Sequence, residues 1–196
     1  IRFEENVKSS SDYFGAGSTY YFKQEFKQAI ELYEKALELE KQERKLSDNL
    51  WTVLVDNLAM AYALIGDLKR SKDIFEYGLS VKPLYPMFNY NIACIYAEMN
   101  DLENSMKFLK IAFGNKDKHL SGEERMPDPF EDQSFQKALQ NKDFKSFVES
   151  LPKDDVKKQL PSGTFKLQPG QEHTVKLNSR DNNIPSKGGC HRTKIM

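Results

Sequence analysis

Five residues recur at the same steps three times along this chain, and that recurrence leaves little freedom for the fold. Gly17, Tyr20, Ala29, Tyr33 and Ala36 are separated by 3, 9, 4 and 3 positions. Ala59, Tyr62, Ser71, Phe75 and Gly78 repeat these steps, and Ala93, Tyr96, Ser105, Leu109 and Ala112 repeat them again. The second and third series lie 34 residues apart, the first and second 42. A fixed period of this size marks stacked supersecondary units. Inside each unit a small residue three places before Tyr shares a helix face with it, since three residues is close to one turn. The small residue admits a neighbouring helix, and the ring fills the space beside it.

Halfway through each unit the pattern breaks, at Gln24-Glu25, Gly66-Asp67 and Asn100-Asp101. Asp67 and Asp101 are of the type that caps a following helix. Apolar spacing then resumes, as in Phe26, Ala29, Ile30, Tyr33, Ala36 and Leu37. Pro83 and Pro86 close one unit and open the next. Each unit reads as a helical hairpin.

The segments YFKQEFKQAIELYEKALELE, NLAMAYALIGDLKRSKDIFEYGLSVKP and NIACIYAEMNDLENSMKFLKIAF resemble tetratricopeptide repeats. The resemblance covers about residues 10–117, with repeats near 10–43, 52–85 and 86–117. Gln24 replaces the usual inter-helix Gly, Lys41 the closing Pro, and Ser71 and Ser105 the usual Ala. The eight-residue excess before the second repeat, within KQERKLSDNL, looks like the longer helices of 42-residue variants. The resemblance implies an all-α, right-handed superhelix of three hairpins. Residues 118–151 then read as a loop and a helical cap, because a stack must cover its last apolar face. The stretch DPFEDQSFQKALQNKDFKSFVESL reads as two cap helices and resembles an ending common in bacterial members of this family. Residues 152–196 read as a flexible, mostly disordered tail, with one candidate hairpin, TFKL and TVKL flanking Pro169-Gly170.

Charge and composition narrow the function. The 29 basic and 29 acidic side chains cancel, which gives no reason to expect nucleic acid or an anionic membrane as partner. From Pro152 to Met196, however, nine Lys/Arg face four Asp/Glu. No apolar run approaches the ~20 residues of a membrane span. Cys94 and Cys190 stand in contexts too different for a disulfide framework, which favours a reducing, cytoplasmic setting. The start at Ile1 leaves a removed signal peptide open.

Catalytic readings fare poorly. Gly15-Ala16-Gly17-Ser18-Thr19 lacks the Lys and the preceding strand of a phosphate loop. Cys94 has no His near it in sequence, and His119, His173 and His191 lack metal-ligand spacing. Asp128, Glu131 and Asp132 suit a helix start, where carboxylates meet the positive end of the dipole. No cofactor or metal is expected, and the chain reads as a binding module, not an enzyme. A self-assembling scaffold and an accessory region of a longer protein are the alternatives.

In such a stack the first helices line the concave surface, which the resemblance makes the place for a protein or peptide ligand. Phe14, Val53, Met60, Met87 and Tyr90 give apolar contacts there, around Asp56, Asn57, Asn91 and Cys94. Asn carries donor and acceptor together and can hold a peptide backbone. The alternative for Asn57 and Asn91 is that they bond neighbouring helices. Family members that bind the acidic C-termini of cytosolic chaperones use a clamp of basic residues and asparagines. Here Asn57 matches one clamp position, but Phe14, Ser18, Met87 and Asn91 stand at the other four. That clamp is absent.

Overall fold

The computed structural model describes residues 9–120 and 125–152, and every regular element among them is helical. Six helices come in pairs: α1 (Ser10–Phe22) with α2 (Phe26–Gln42), α3 (Asp48–Leu64) with α4 (Leu68–Val81), and α5 (Pro86–Glu98) with α6 (Leu102–His119). Each pair packs as a hairpin, and α2 against α3 and α4 against α5 join the hairpins into a stack. A last helix, α7 (Lys142–Glu149), packs on α6.

The hairpin turns show why the breaks fall where they do. Gln24, Gly66 and Asn100 all have positive φ, at 63°, 87° and 62°. Gly takes this left-handed conformation without penalty and Asn does so readily, whereas Gln is held there against its preference. Asp67 Oδ1 then accepts from the Arg70 N–H at 3.0 Å and Asp101 Oδ1 from the Asn104 N–H at 3.1 Å, capping α4 and α6. Glu25 makes no such bond. Ser9 opens α1 through a reciprocal capping box with Asp12, and Pro86 is the first residue of α5.

The recurrent small residues are seats for side chains of the partner helix. A Cβ on Gly17 would lie 2.7 Å from Cδ1 of Tyr33, and one on Gly78 2.9 Å from both Phe88 and Val55. The tyrosines that follow the small residues are less buried than the sequence suggests. Tyr62 is 7% exposed, but Tyr20 and Tyr96 are only half-buried. Tyr62 and Tyr96 reach instead to the preceding hairpin, donating to Glu34 and, at 3.3 Å, to Glu76. These two glutamates occupy matching places on α2 and α4. Burial and the adjoining Glu34 push the Tyr62 hydroxyl well above the ordinary tyrosine range.

The eight extra residues are mostly helix. α2 has 17 residues against 14 in α4, and α3 has 17 against 13 in α5. Three residues on α2, four on α3 and one in the connection account for the excess. The extension is packed. Glu40 is 4% exposed and accepts from Ser10 Oγ at 2.5 Å and from the N–H groups of Lys45 and Leu46. Trp51, on the added turn of α3, is 1% exposed against Tyr77 and Phe88.

After the hairpins the structure departs from the two expected cap helices. Residues 133–135 and 138–140 form 3-10 turns, and α7 is the one α-helix there. The apolar spacing of Phe135, Ala138 and Leu139 covers about one turn. Asn141 then stands in extended backbone and caps α7 through the N–H groups of Asp143 and Phe144. Phe135, Phe144 and Val148 are buried all the same. The candidate hairpin about Pro169-Gly170, and Cys190, His173 and His191, lie outside the described residues.

Candidate partner-binding face

The first helices α1, α3 and α5 carry all nine residues assigned to the groove, and the structure withdraws them from solvent. Exposure is 8% for Phe14, 3% for Asp56, 6% for Asn57, 2% for Met60, 8% for Met87 and 0% for Tyr90, Asn91 and Cys94. Val53 is the exception, half-buried. The two asparagines therefore do not form an open ladder of amides.

They act at the junctions between hairpins. Asn57 Nδ2 donates to the Tyr33 hydroxyl at 3.1 Å, and Tyr33 OH in turn donates to Ser18 Oγ at 3.2 Å. Burial raises the Tyr33 pKa, with Ser18 and Asn57 opposing. Asn91, one 34-residue step on, faces Phe75 where Asn57 meets Tyr33 in the pattern, and Phe has no hydroxyl. Asn91 Nδ2 donates instead to Asp56 Oδ1 at 2.7 Å. Phe14, Asp56 and Tyr90 share one place in the three units. Phe14 packs on Tyr33 with ring centroids 6.0 Å apart.

Tyr90 stood in the groove by sequence, but its link to the cap was missed by sequence reasoning. Tyr90 OH donates to Asp132 Oδ2 at 3.1 Å, and Cys94 Sγ lies 3.8 Å from the same oxygen. Ser134 Oγ donates to Glu98 at 2.8 Å, and Phe135 meets Tyr90 edge-on at 5.7 Å. The segment 132–135 thus covers the Tyr90–Cys94–Glu98 stripe of α5. Asp132 is a helix-start residue in part, since its Oδ1 accepts from the Ser134 N–H. Its other oxygen anchors the cap to α5, a long-range role that no local spacing announces. Asp128 keeps the local role, accepting from the Phe130 N–H.

Burial pushes the Asp132 carboxyl above the ordinary Asp range, against the donors Ser134, Tyr90 and Cys94. The folded state therefore holds the proton more tightly than the unfolded chain. The cost of the buried charge is absent below the ordinary Asp pKa and complete above the raised one. Asp132→Asn removes that charge and retains an acceptor for Ser134. It is expected to melt higher than the parent at neutral pH, with the gain vanishing toward about pH 4. Thermal melts across this range check it; a difference that does not change with pH would place the effect in packing.

Among the described residues no group of three or more His, Cys, Asp or Glu is placed to hold a metal ion, and no helix is long and apolar enough to cross a membrane. The architecture is that of a helical-hairpin repeat protein closed by a short cap. Residues 13–43 and 88–116 match the tetratricopeptide repeat, and the intervening hairpin carries the same steps. The chain contains tetratricopeptide repeats at these residues. Its fold is similar to the crystal structure of the Sgt2 TPR domain from Aspergillus fumigatus, at 17% identity and a TM-score of 0.50, covering 83% of this chain and 97% of that one. At that identity the likeness shows the fold alone. No curated protein matches the chain.

Proposed function

We propose that this chain is a non-catalytic interaction module that binds a partner segment along the face of α1, α3 and α5. The fold is one of protein-interaction modules in general; the use of this face is our reading. The observation that carries it is the chemistry of the three first helices. They contain Asp12, Asp48, Asp56 and Glu98 among apolar residues and no Lys, Arg or His. Such a face repels an acidic peptide and suits a segment that brings cations and apolar side chains. Val53 is its solvent-accessible lining residue, while Asp56, Met60, Met87, Tyr90, Asn91 and Cys94 are buried and Asn57 and Phe14 serve the first junction.

Val53 keeps solvent access, so it tests binding without unfolding the stack. In a titration with a captured partner, Val53→Arg is expected to weaken binding at least tenfold, a loss of about 1.4 kcal/mol or more. Melting should be little changed. Unaltered affinity would retire this face.

A self-assembling scaffold is the second reading. Leu50, Val81 and Leu84 are 38%, 41% and 47% exposed near the end where Lys82 Nζ meets Asp48 at 2.5 Å. Light scattering over a range of concentrations separates the two.

A further inference from the structure

α1 keeps open a face that its two counterparts bury. Asp12, Ala16 and Thr19 on α1 hold the places of Leu54, Leu58 and Ala61 on α3 and of Phe88, Ile92 and Ile95 on α5. Those six are fully buried, where α3 packs on α2 and α5 on α4. On α1, Asp12, Gly15, Thr19 and Phe22 are exposed, Phe22 at 68%, and Ala16 is half-buried. Lys23, exposed as well, ends the helix as its C-cap.

Steps of 4, 3 and 4 positions set Asp12, Ala16, Thr19 and Lys23 on one stripe. Tyr13 and Tyr20 follow one flank of it, Gly15 and Phe22 the other. This stripe is self-complementary: a carboxylate at one end, an ammonium at the other, and small side chains between. Two such stripes laid side by side in the same direction would set Asp12 against Asp12 and Lys23 against Lys23. Reversed about the point midway between Gly17 and Ser18, they bring each Asp12 level with Lys23 of the second copy, and each Ala16 level with Thr19. The flanks then match as well. Tyr20 comes beside Tyr13 of the second copy, and Phe22 lies over Gly15. The small residues leave room for the helix axes to approach to about 8 Å. Charge thus selects one direction and one register.

We propose that two copies of this chain associate through antiparallel α1 helices, about a two-fold axis that passes between Gly17 and Ser18. The pairing covers the exposed Phe22 rings and gives α1 a neighbour where α3 has α2. A helix of 13 residues is about 20 Å long, so the contact falls short of the ~800 Å² per copy of a standard interface. The dimer therefore forms at high protein concentration and comes apart on dilution. It uses none of the nine groove residues and none of Leu50, Val81 and Leu84.

Sedimentation velocity of the full chain over a rising concentration series reads the dimer. Lys23→Glu is expected to raise the dissociation constant at least tenfold, because two-fold symmetry makes both contacts with Asp12 repulsive at once. Thr19→Arg, at an exposed place in the middle of the stripe, should abolish association with the melting temperature unchanged. Leu84→Lys, on the opposite edge, should leave it intact. A chain that stays monomeric throughout the series overturns the pairing. So does association that survives Lys23→Glu and Thr19→Arg, or that is lost with Leu84→Lys, which would move the contact to the other edge. Neither result bears on the partner-binding face, which Val53→Arg tests separately.

Discussion

Tyr33→Ala is expected to destabilise the fold by about 3–5 kcal/mol, as a large aromatic deletion in a closed core. A domain of this size is held by roughly 5–15 kcal/mol, so the loss is about a fifth of the total or more. Tyr33 is fully buried. Its ring lies against the Gly17 seat and within 6.0 and 6.2 Å of the Phe14 and Tyr21 rings. Its hydroxyl joins α2 to Ser18 on α1 and Asn57 on α3. Tyr33→Phe keeps the ring and removes the hydroxyl, leaving Asn57 Nδ2 buried without that acceptor. The expected cost is about 1–3 kcal/mol. Chemical denaturation of both variants checks the pair. Equal losses would show that the hydroxyl, not the ring, holds the junction.

Trp51→Ala is expected to cost a similar ~3–5 kcal/mol, and for a reason particular to this chain. Trp51 belongs to the added turn of α3. It packs at 6.0 Å on Tyr77 and 6.4 Å on Phe88, under the Arg44 guanidinium at 4.2 Å. Without the ring, the extra turns of α2 and α3 lose what they bury. The melting temperature should fall by about 6–20 °C, given about 2–4 °C per kcal/mol for domains above ~150 residues. A near-native melt would mean that the extension is ornament. Because Trp51 is the one tryptophan of the chain, its emission in the parent protein reports on α3, α4 and α5 during unfolding.

How much of this was legible from the residues alone follows physical range. The hairpins were legible because their signals are local and periodic: small residues at fixed steps, capping Asp67 and Asp101, and breaks at Gln24, Gly66 and Asn100. The length of α2 and α3 followed from the eight-residue excess. The cap was half-legible. Its buried Phe135, Phe144 and Val148 stood out by spacing, but periodicity over a single turn does not separate an α-helix from a 3-10 turn. The face of the first helices was the least legible. Helical spacing put Asn57, Asn91 and Asp56 on one surface, and could not tell whether that surface meets water or another helix. The partners of Asn57, Asn91 and Tyr90, namely Tyr33, Asp56 and Asp132, lie 24, 35 and 42 positions away in sequence. The substitution of Tyr33 by Phe75 one unit later was visible. It was the signal that the two asparagines could not share a partner.

That difference bears on how a chain built of near-copies finds its correct order. Identical units would pair almost as well out of turn, within one molecule or between two. Here each junction has its own polar match: a phenol with an amide at Tyr33–Asn57, a carboxylate with an amide at Asp56–Asn91, and a phenol with a carboxylate at Tyr90–Asp132. Setting the third hairpin directly on the first would put Asn91 against Tyr33 but strand Asp56, and seating the cap on the second would bring two carboxylates, Asp56 and Asp132, together. Each wrong neighbour leaves a buried group unmatched or sets like charges face to face. The polar groups at the junctions therefore favour the native order of hairpins over these two alternatives.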